Sequence, residues 1–410
     1  MIPPEPVAPS PESTAPARGG SPVEVFLAFL RLGLTSFGGP VAHLGYFRTE
    51  FVERRRWLDD RSFSDLVALC QFLPGPASSQ VGMALGLSRA GWLGCLSAWL
   101  GFTLPSALAL ILVAYGVQHW AGLAASGLVQ GLKVAAVAVV AQAVWGMSRS
   151  LCPDKPRAGL ALLAALLTLV APTATGQLAA IALAGVAGWW LLELPPQAPV
   201  AHVASGVSRT AGIAALALFA VLLLGLPLLS GLLDGRLPGQ VEGFYRAGAL
   251  VFGGGHVVLP LLQATVVPSG MVTDSGFLAG YGAAQAMPGP LFAFAAYLGA
   301  ASSGPLGGWA GGLLFLAVIF LPGFLLVVGA LPFWDSLRQR AAIQSALAGV
   351  NAGVVGLLLS ALYDPVWTGT IHTRADFAVA LAAFGLLVLA RVSPLVVVLM
   401  CAAAGFAVLG

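Results

Sequence analysis

Four short motifs each occur twice in this chain, in the same order and at nearly the same distance. Phe29-Leu30-Arg31-Leu32-Gly33, followed by Phe37-Gly38-Gly39, returns as Phe244-Tyr245-Arg246-Ala247-Gly248, followed by Phe252-Gly253-Gly254. Gln71 with Pro74-Gly75-Pro76 returns as Gln285 with Pro288-Gly289-Pro290, Leu104-Pro105 as Leu321-Pro322, and Gln130 as Gln344. The offset stays between 214 and 217 residues throughout. Chance does not hold one register over that length, so the chain reads as two copies of one unit. The copies are expected at 23–195 and 241–410, with 196–240 as a linker that carries an extra helix. Residues 1–22 hold seven prolines and read as a disordered tail. They lack the basic start and apolar run of a signal peptide, so the first membrane segment is expected to direct insertion.

Both copies are too apolar for water. Hydrophobic residues form 58% of the 410 and only 9% are charged, against about 25% in an average soluble domain. A soluble fold of this length has no way to hide so much apolar surface. Apolar stretches at 92–118, 124–148, 158–172, 176–194, 210–232, 308–333, 341–362, 374–391 and 392–409 are candidate crossings, a crossing needing about 20 helical residues. Those at 158–172, 176–194, 374–391 and 392–409 are short and require a crossing without tilt or local thinning of the bilayer. Four further regions, 24–56, 62–88, 241–267 and 275–303, are interrupted by Gly/Pro breaks. Each splits into halves of about twelve to fifteen residues, too short to span alone. The expected fold class is an all-α polytopic membrane protein with two inverted-topology repeats and Gly/Pro-broken helices.

Inversion follows from the extra helix at 210–232. If each unit crosses an even number of times, one added crossing turns the second copy over, as in secondary transporters whose substrate sits at the repeat interface. Charge agrees. Residues 48–61 carry Arg48, Arg54, Arg55, Arg56 and Arg61, whereas the matching loop at 263–275 has no Lys or Arg, and basic loops favour the cytoplasm. If the four interrupted regions are re-entrant hairpins, nine crossings remain and these arginines stay inside. If they are full spans, there are thirteen crossings and the arginines lie outside. Both readings place the amino terminus inside and the carboxyl terminus outside. The arginines favour hairpins, although Glu50, Glu53, Asp59, Asp60 and Asp65 dilute the signal.

The breaks are the first candidates for chemistry. A break frees backbone groups at membrane depth, which is tolerated only inside protein or along a cavity. Pro40, Pro76 and Pro290 suit the first helical position, and the N–H groups after them would attract an anion. One such motif alone reads as a kink; four in two matched pairs favour a site. Gly38, Gly39, Gly75, Gly253, Gly254 and Gly289 are therefore candidate binding positions. Arg31 and Arg246 match across the copies, seven residues before the first glycine of each break, and are expected on its helical face with Thr35. A guanidinium in a bilayer marks a pathway or a partner, unless it snorkels to the interface.

The remaining polar residues are weaker candidates. Gln71 and Gln285 match and would donate to an anion; Ser78 and Ser79 follow the first Pro-Gly-Pro, where the second copy has Phe292 and Ala293. More side-chain donors are thus expected from the first unit. Helix-to-helix glue is the competing role for any one of them. His43 and His256 do not align, and Lys133 faces Leu347 in the repeat; these three are candidates for gating or coupling. Cys70, Cys95, Cys152 and Cys401 are scattered without metal or disulfide spacing.

The residues that carry the repeat also resemble a known family. Phe37-Gly38-Gly39-Pro40, Phe252-Gly253-Gly254-Gly255-His256, Gln285-Ala286-Met287-Pro288-Gly289-Pro290-Leu291-Phe292 and Phe51-Val52-Glu53-Arg54-Arg55-Arg56-Trp57-Leu58 resemble the chromate ion transporter family, in its long, two-unit form. The resemblance runs from about Val23 to the carboxyl terminus. It implies efflux of chromate across a bacterial inner membrane, with sulfate as the structural analogue. Expected partners are that oxyanion and membrane lipid, with a homodimer left open and no nucleic acid. The chain has no GxxxxGK[ST] loop, so neither ATP hydrolysis nor a cofactor is expected. No carboxylate lies deep in an apolar stretch. Expulsion of a dianion from a negative interior is favoured by about 2.3 kcal/mol per charge per 100 mV. A carrier of another oxyanion and an anion channel stay open as alternatives; an enzyme would require a His/Asp/Glu or Cys constellation.

Overall fold

The computed structural model describes residues 19–119, 127–193, 207–252, 255–303, 306–337 and 340–409. Gly253, Gly254 and residues 1–18 of the proline-rich tail lie outside the described residues. Among those described there is no strand.

In the first unit, α1 (Pro22–Thr35) and α2 (Gly39–Phe47), which runs on as a π-helical turn over Arg48–Arg54, are separated by the first break. After α3 (Asp60–Phe72) and the second break comes α4 (Ala77–His119). This is not one straight rod. Ala90 and Gly91 leave helical geometry, with Gly91 at φ +63, so 77–89 is a return arm and the remainder a crossing. The unit ends with α5 (Gly127–Leu151), α6 (Lys155–Val170) and α7 (Ala174–Leu191). The extra helix α8 (Arg209–Leu232) follows, with Val221, Leu224 and Leu228 exposed as on a lipid-facing helix.

The second unit repeats the order. Its broken pairs are α9 (Arg236–Leu250) with α10 (Val258–Val266), and α11 (Asp274–Gln285) with α12 (Phe294–Ala301). They lead into α13 (Gly308–Ala330), the short α14 (Trp334–Leu337), α15 (Ala341–Ala361), α16 (Arg374–Val388) and α17 (Pro394–Ala404). Many helices start on a hydroxyl or carboxylate cap: Ser21, Asp59, Asp154, Thr173, Ser208, Thr273 and Thr373 each accept a backbone N–H from the first turn. Such caps satisfy donors that hydrocarbon would leave bare.

All four interrupted regions close on themselves. Glu24, near the start of α1, meets Arg55 at 4.0 Å from beyond α2, and Arg89 at 3.3 Å from the end of the return arm. Both guanidinium groups lie over the Trp57 ring, 5.7 and 5.3 Å from its centroid, and Arg48 ties the two hairpins by its bond to Asp60 at 2.6 Å. In the second unit, Gly243 abuts the Thr265 side chain. The Tyr297 hydroxyl donates to the Gly276 carbonyl at 2.9 Å, and the Ser303 N–H to that of Met271 at 3.4 Å. These contacts bring the two ends of the broken regions together, as in a hairpin.

Six helices among the described residues are long and apolar enough to cross: Ala77–Val117, Gly127–Leu151, Ala174–Leu191, Arg209–Leu232, Gly308–Phe333 and Ala341–Trp367. The expected crossings at 158–172, 374–391 and 392–409 are helical but shorter, ending at Val170, Val388 and Leu409.

Inversion of the repeat is visible in one helix pair. The crossing part of α4 and its equivalent α13 pack side by side, Trp92 with Phe324, Trp99 with Phe320 and Tyr115 with Trp309, at ring centroid distances of 6.3, 5.7 and 6.3 Å. Numbers rise along one helix as they fall along the other, so equivalent helices run antiparallel. Elsewhere small residues bring backbones together: Gly188 of α7 on Gly349 of α15, Gly356 of α15 on Ala161 of α6, Gly131 of α5 on Cys401 of α17. Close approach of this kind is what holds helices together where lipid removes the hydrophobic drive.

Candidate functional site

The breaks meet. Helix α1 ends at Thr35, and Ser36 is extended, φ −87 and ψ 98; Gly38 and Gly39, at φ +103 and +76, then turn the chain into α2. Gly75 and Gly289 sit at φ +119 and +96, in the region that a side chain disfavours. The Gly289 N–H donates to the Ser36 carbonyl at 2.9 Å, and the Gly75 N–H to the Val251 carbonyl at 2.6 Å. Ser36 and Val251 are equivalent positions, so this is one bond made twice. Each Pro-Gly-Pro tip is fastened to the Gly-Gly tip of the other unit. Behind them stand the residues that follow the matched helix prolines. A Cβ added to Gly289 would lie 3.0 Å from the Ser106 hydroxyl, and one added to Gly75 would lie 3.3 Å from Gly323 Cα.

The candidate side chains distribute unevenly about this junction. His43 and Ser78 are buried and in contact, Nδ1 to Oγ at 3.3 Å, and Nε2 of His43 has no hydrogen-bond partner among the described residues. Ser79 is also buried, with its hydroxyl unpartnered. Gln285 is half-buried, and its side-chain nitrogen is likewise unpartnered. Gln71 and Arg31 are exposed. Thr35 spends its hydroxyl on the Arg31 carbonyl at 2.8 Å. Arg246 forms an ion pair at 3.0 Å with Glu242, one turn back on its own helix and buried; the position one turn before its repeat partner Arg31 holds Leu27. His256 contacts the Tyr281 hydroxyl at 2.8 Å. Lys133 is buried on α5 within electrostatic reach of Asp376 and Asp274, and Gln130, one turn earlier, donates to Asp376 at 3.0 Å. It belongs to the start of α16, not to the tips.

Two local expectations are corrected. Arg31 and Gly38 do not share a helical face, because α1 stops at Thr35 and the chain is extended at Ser36. Pro76 and Pro290 stand one place before the first helical residue, where their carbonyls accept from the N–H of Gln80 and of Ala293, both at 2.9 Å. The residues that sequence reasoning passed over are Ser36, Thr103 and Ser106, all buried. The signal was available: each lies within two residues of a repeated motif, and each loses its hydroxyl in the second copy, to Val251, Phe320 and Gly323. Gln80 also acts across the units, its side-chain N–H groups donating to the Pro74 and Gly323 carbonyls at 2.9 and 3.2 Å. A lateral cavity of about 350 Å³, lined by Met83, Trp92, Trp99, Phe320 and Phe324 among other apolar residues, offers a dianion nothing.

Two inverted units whose broken hairpins join tip to tip define a multi-pass membrane transporter of the inverted-repeat class. The family model described as chromate transporter matches residues 23–189 and again 240–406, and the chain belongs to that family. It is 30% identical over 358 residues to the chromate transport protein of Pseudomonas aeruginosa, covering 83% of this chain and 80% of that one. It is 27% identical over 346 residues to the chromate transport protein of Cupriavidus metallidurans, covering 83% and 81%. An uncharacterized transporter of Methanocaldococcus jannaschii is 25% identical over 344 residues, 83% of each chain. No solved structure matches. Family membership supports chromate transport.

Proposed function

We propose that the chain exports chromate, a divalent tetrahedral oxyanion, from the cytoplasm, driven by membrane potential or proton motive force. The observation that carries this reading is the pair of cross-unit bonds at the tips, Gly289 to Ser36 and Gly75 to Val251. They put the unwound backbone of both units at one place, where a transporter of this architecture binds its substrate. The donors nearby are neutral, and an anion suits hydroxyl, amide and imidazole N–H groups. Arg31, exposed on α1 one turn before the tip, supplies positive charge on the approach. The residues from 23 to 195 and from 241 to 410 act as the two moving units, in a bacterial inner membrane with the amino terminus inside. Everted vesicles given labelled chromate under an imposed potential test this. Potential-dependent uptake supports export. Uptake of sulfate with no competition by chromate would move the assignment to another oxyanion, and a unitary conductance would make the protein a channel.

A further inference from the structure

The two units build the same backbone frame around their tips and line it with opposite chemistry. On one side the Ser36 carbonyl accepts the Gly289 N–H at 2.9 Å, His43 touches Ser78 at 3.3 Å and lies edge-on to Phe102, and Ser106 stands behind Gly289. On the other side the equivalent residues are Val251, Val258, Phe292 and Gly323. There the Val251 carbonyl accepts the Gly75 N–H at 2.6 Å, Gly323 stands behind Gly75, and Phe292 packs on Phe320 with centroids 5.6 Å apart. Val251 and Val258 are fully buried, and Phe292 nearly so. The Gly289 half thus holds hydroxyls and an imidazole, whereas the Gly75 half holds hydrocarbon and one amide, that of Gln80, whose N–H groups are spent on the Pro74 and Gly323 carbonyls and whose free oxygen is an acceptor.

The polar half is not satisfied within itself. Ser36, at 0% exposure, and His43, at 1%, each keep a side-chain polar atom without a hydrogen-bond partner among the described residues, Oγ and Nε2. Buried polar atoms are nearly always bonded, because leaving one bare is unfavourable. We infer that a single oxyanion binds off the pseudo-twofold axis, to the hydroxyls of Ser36 and Ser106 and to the imidazole of His43, which Ser78 holds in place, on the first unit's side of the Gly289 tip. The inference rests on the proposed function and deepens it: one site per chain, not two, with His43 as a ligand. The Ser78 hydroxyl donates to Nδ1 at 3.3 Å, which leaves the proton of His43 on Nε2 as a donor, and the Ser106 hydroxyl, which donates to the Thr103 carbonyl at 3.0 Å, rotates from there to the anion. Neutral donors of this kind meet a dianion without the fixed countercharge that would hinder its release.

The test is calorimetric titration of the purified full-length protein in detergent with chromate and, separately, with sulfate. One anion per chain is expected. Ser36→Ala, Ser106→Ala and His43→Leu should each weaken binding by about tenfold or more, the effect of losing a hydrogen bond to a charged group. Val258→Thr, at the position that mirrors His43, should bind as the parent does. Melting of the anion-free protein supplies a second measurement. Ser36→Ala removes an unpartnered hydroxyl, so its melting temperature should hold or rise, while the upward shift produced by chromate shrinks. Two anions per chain, or parental affinity in all three variants, would overturn the site and leave chromate transport standing. A Ser36→Ala protein that melts lower yet keeps the full chromate shift assigns the hydroxyl to structure and likewise overturns it. If the parent chain binds neither anion, the proposed function falls and the site with it.

Discussion

The N–H of Gly75 donates to the carbonyl of Val251 at 2.6 Å, across 176 positions of sequence and from one repeat to the other. Gly75 can do this because its φ of +119 turns the amide outward. A side chain there would strain the backbone by about 1–3 kcal/mol and would also strike Gln80 and Gly323. Gly75→Val and Gly289→Val are therefore expected to abolish chromate uptake by everted vesicles while immunoblots still find the protein in the membrane. Normal uptake by both would reduce the junction to a packing kink.

The two matched arginines should answer differently to the same substitution. Arg246 is paired with buried Glu242, and removal of one member of a buried pair costs about 3–5 kcal/mol. Arg246→Gln is expected to lower the melting temperature, and the Glu242→Gln, Arg246→Gln double variant to recover most of the loss. Arg31→Gln should leave stability nearly unchanged and weaken chromate uptake by about tenfold or more, as loss of a charged contact does. Equal behaviour of the two single variants in both assays would contradict this division.

Topology gives a third expectation. Thr49 is exposed on the π-helical turn beyond α2, beside Arg48 and the Asp60 to which it bonds. A Thr49→Cys protein in whole cells should resist an impermeant thiol reagent and react once the membrane is opened. Ready labelling of intact cells would put this loop outside and reverse the proposed orientation.

Gly349 offers a test of the scaffold alone. It lies against Gly188 and the Ala184 carbonyl, so no side chain fits without parting α7 from α15. Gly349→Leu should lower the thermal stability of the detergent-solubilised protein by several degrees, whereas Gly385→Ala, with open space around it, should not. Matching melting curves would show that this contact is dispensable.

Much of the fold could be read before any coordinates, because repetition and inversion are written in spacing and in charge. The register of Arg31 with Arg246 and of Pro-Gly-Pro with itself required two units, and five arginines against none required that they point opposite ways. The four breaks were legible from half-helix length and from their Gly/Pro motifs. What could not be read was the outcome of folding at the breaks. A helix that ends at Thr35 instead of running to Gly38 changes which side chains face Gly38, and no periodicity marks the stop. Glu242 stood close to its arginine in sequence, yet one-turn spacing alone does not say whether a pair is buried. Ser36 and Ser106 were overlooked because a serine is common helix glue; only the cross-unit contact with Gly289 separates these two from the others.

The roots of the first unit's hairpins are tied by Glu24, Glu50, Arg55 and Arg89 around Trp57, whereas those of the second unit are held by hydroxyl and amide contacts at Gly276, Met271 and Gly270. Ion pairs of partial exposure weaken as ionic strength rises, the Debye length falling to about 3 Å at 1 M; contacts between neutral groups do not. Concentrated salt on one face of the membrane should thus loosen one mouth of the protein, and the same salt on the opposite face should leave the other mouth as it was.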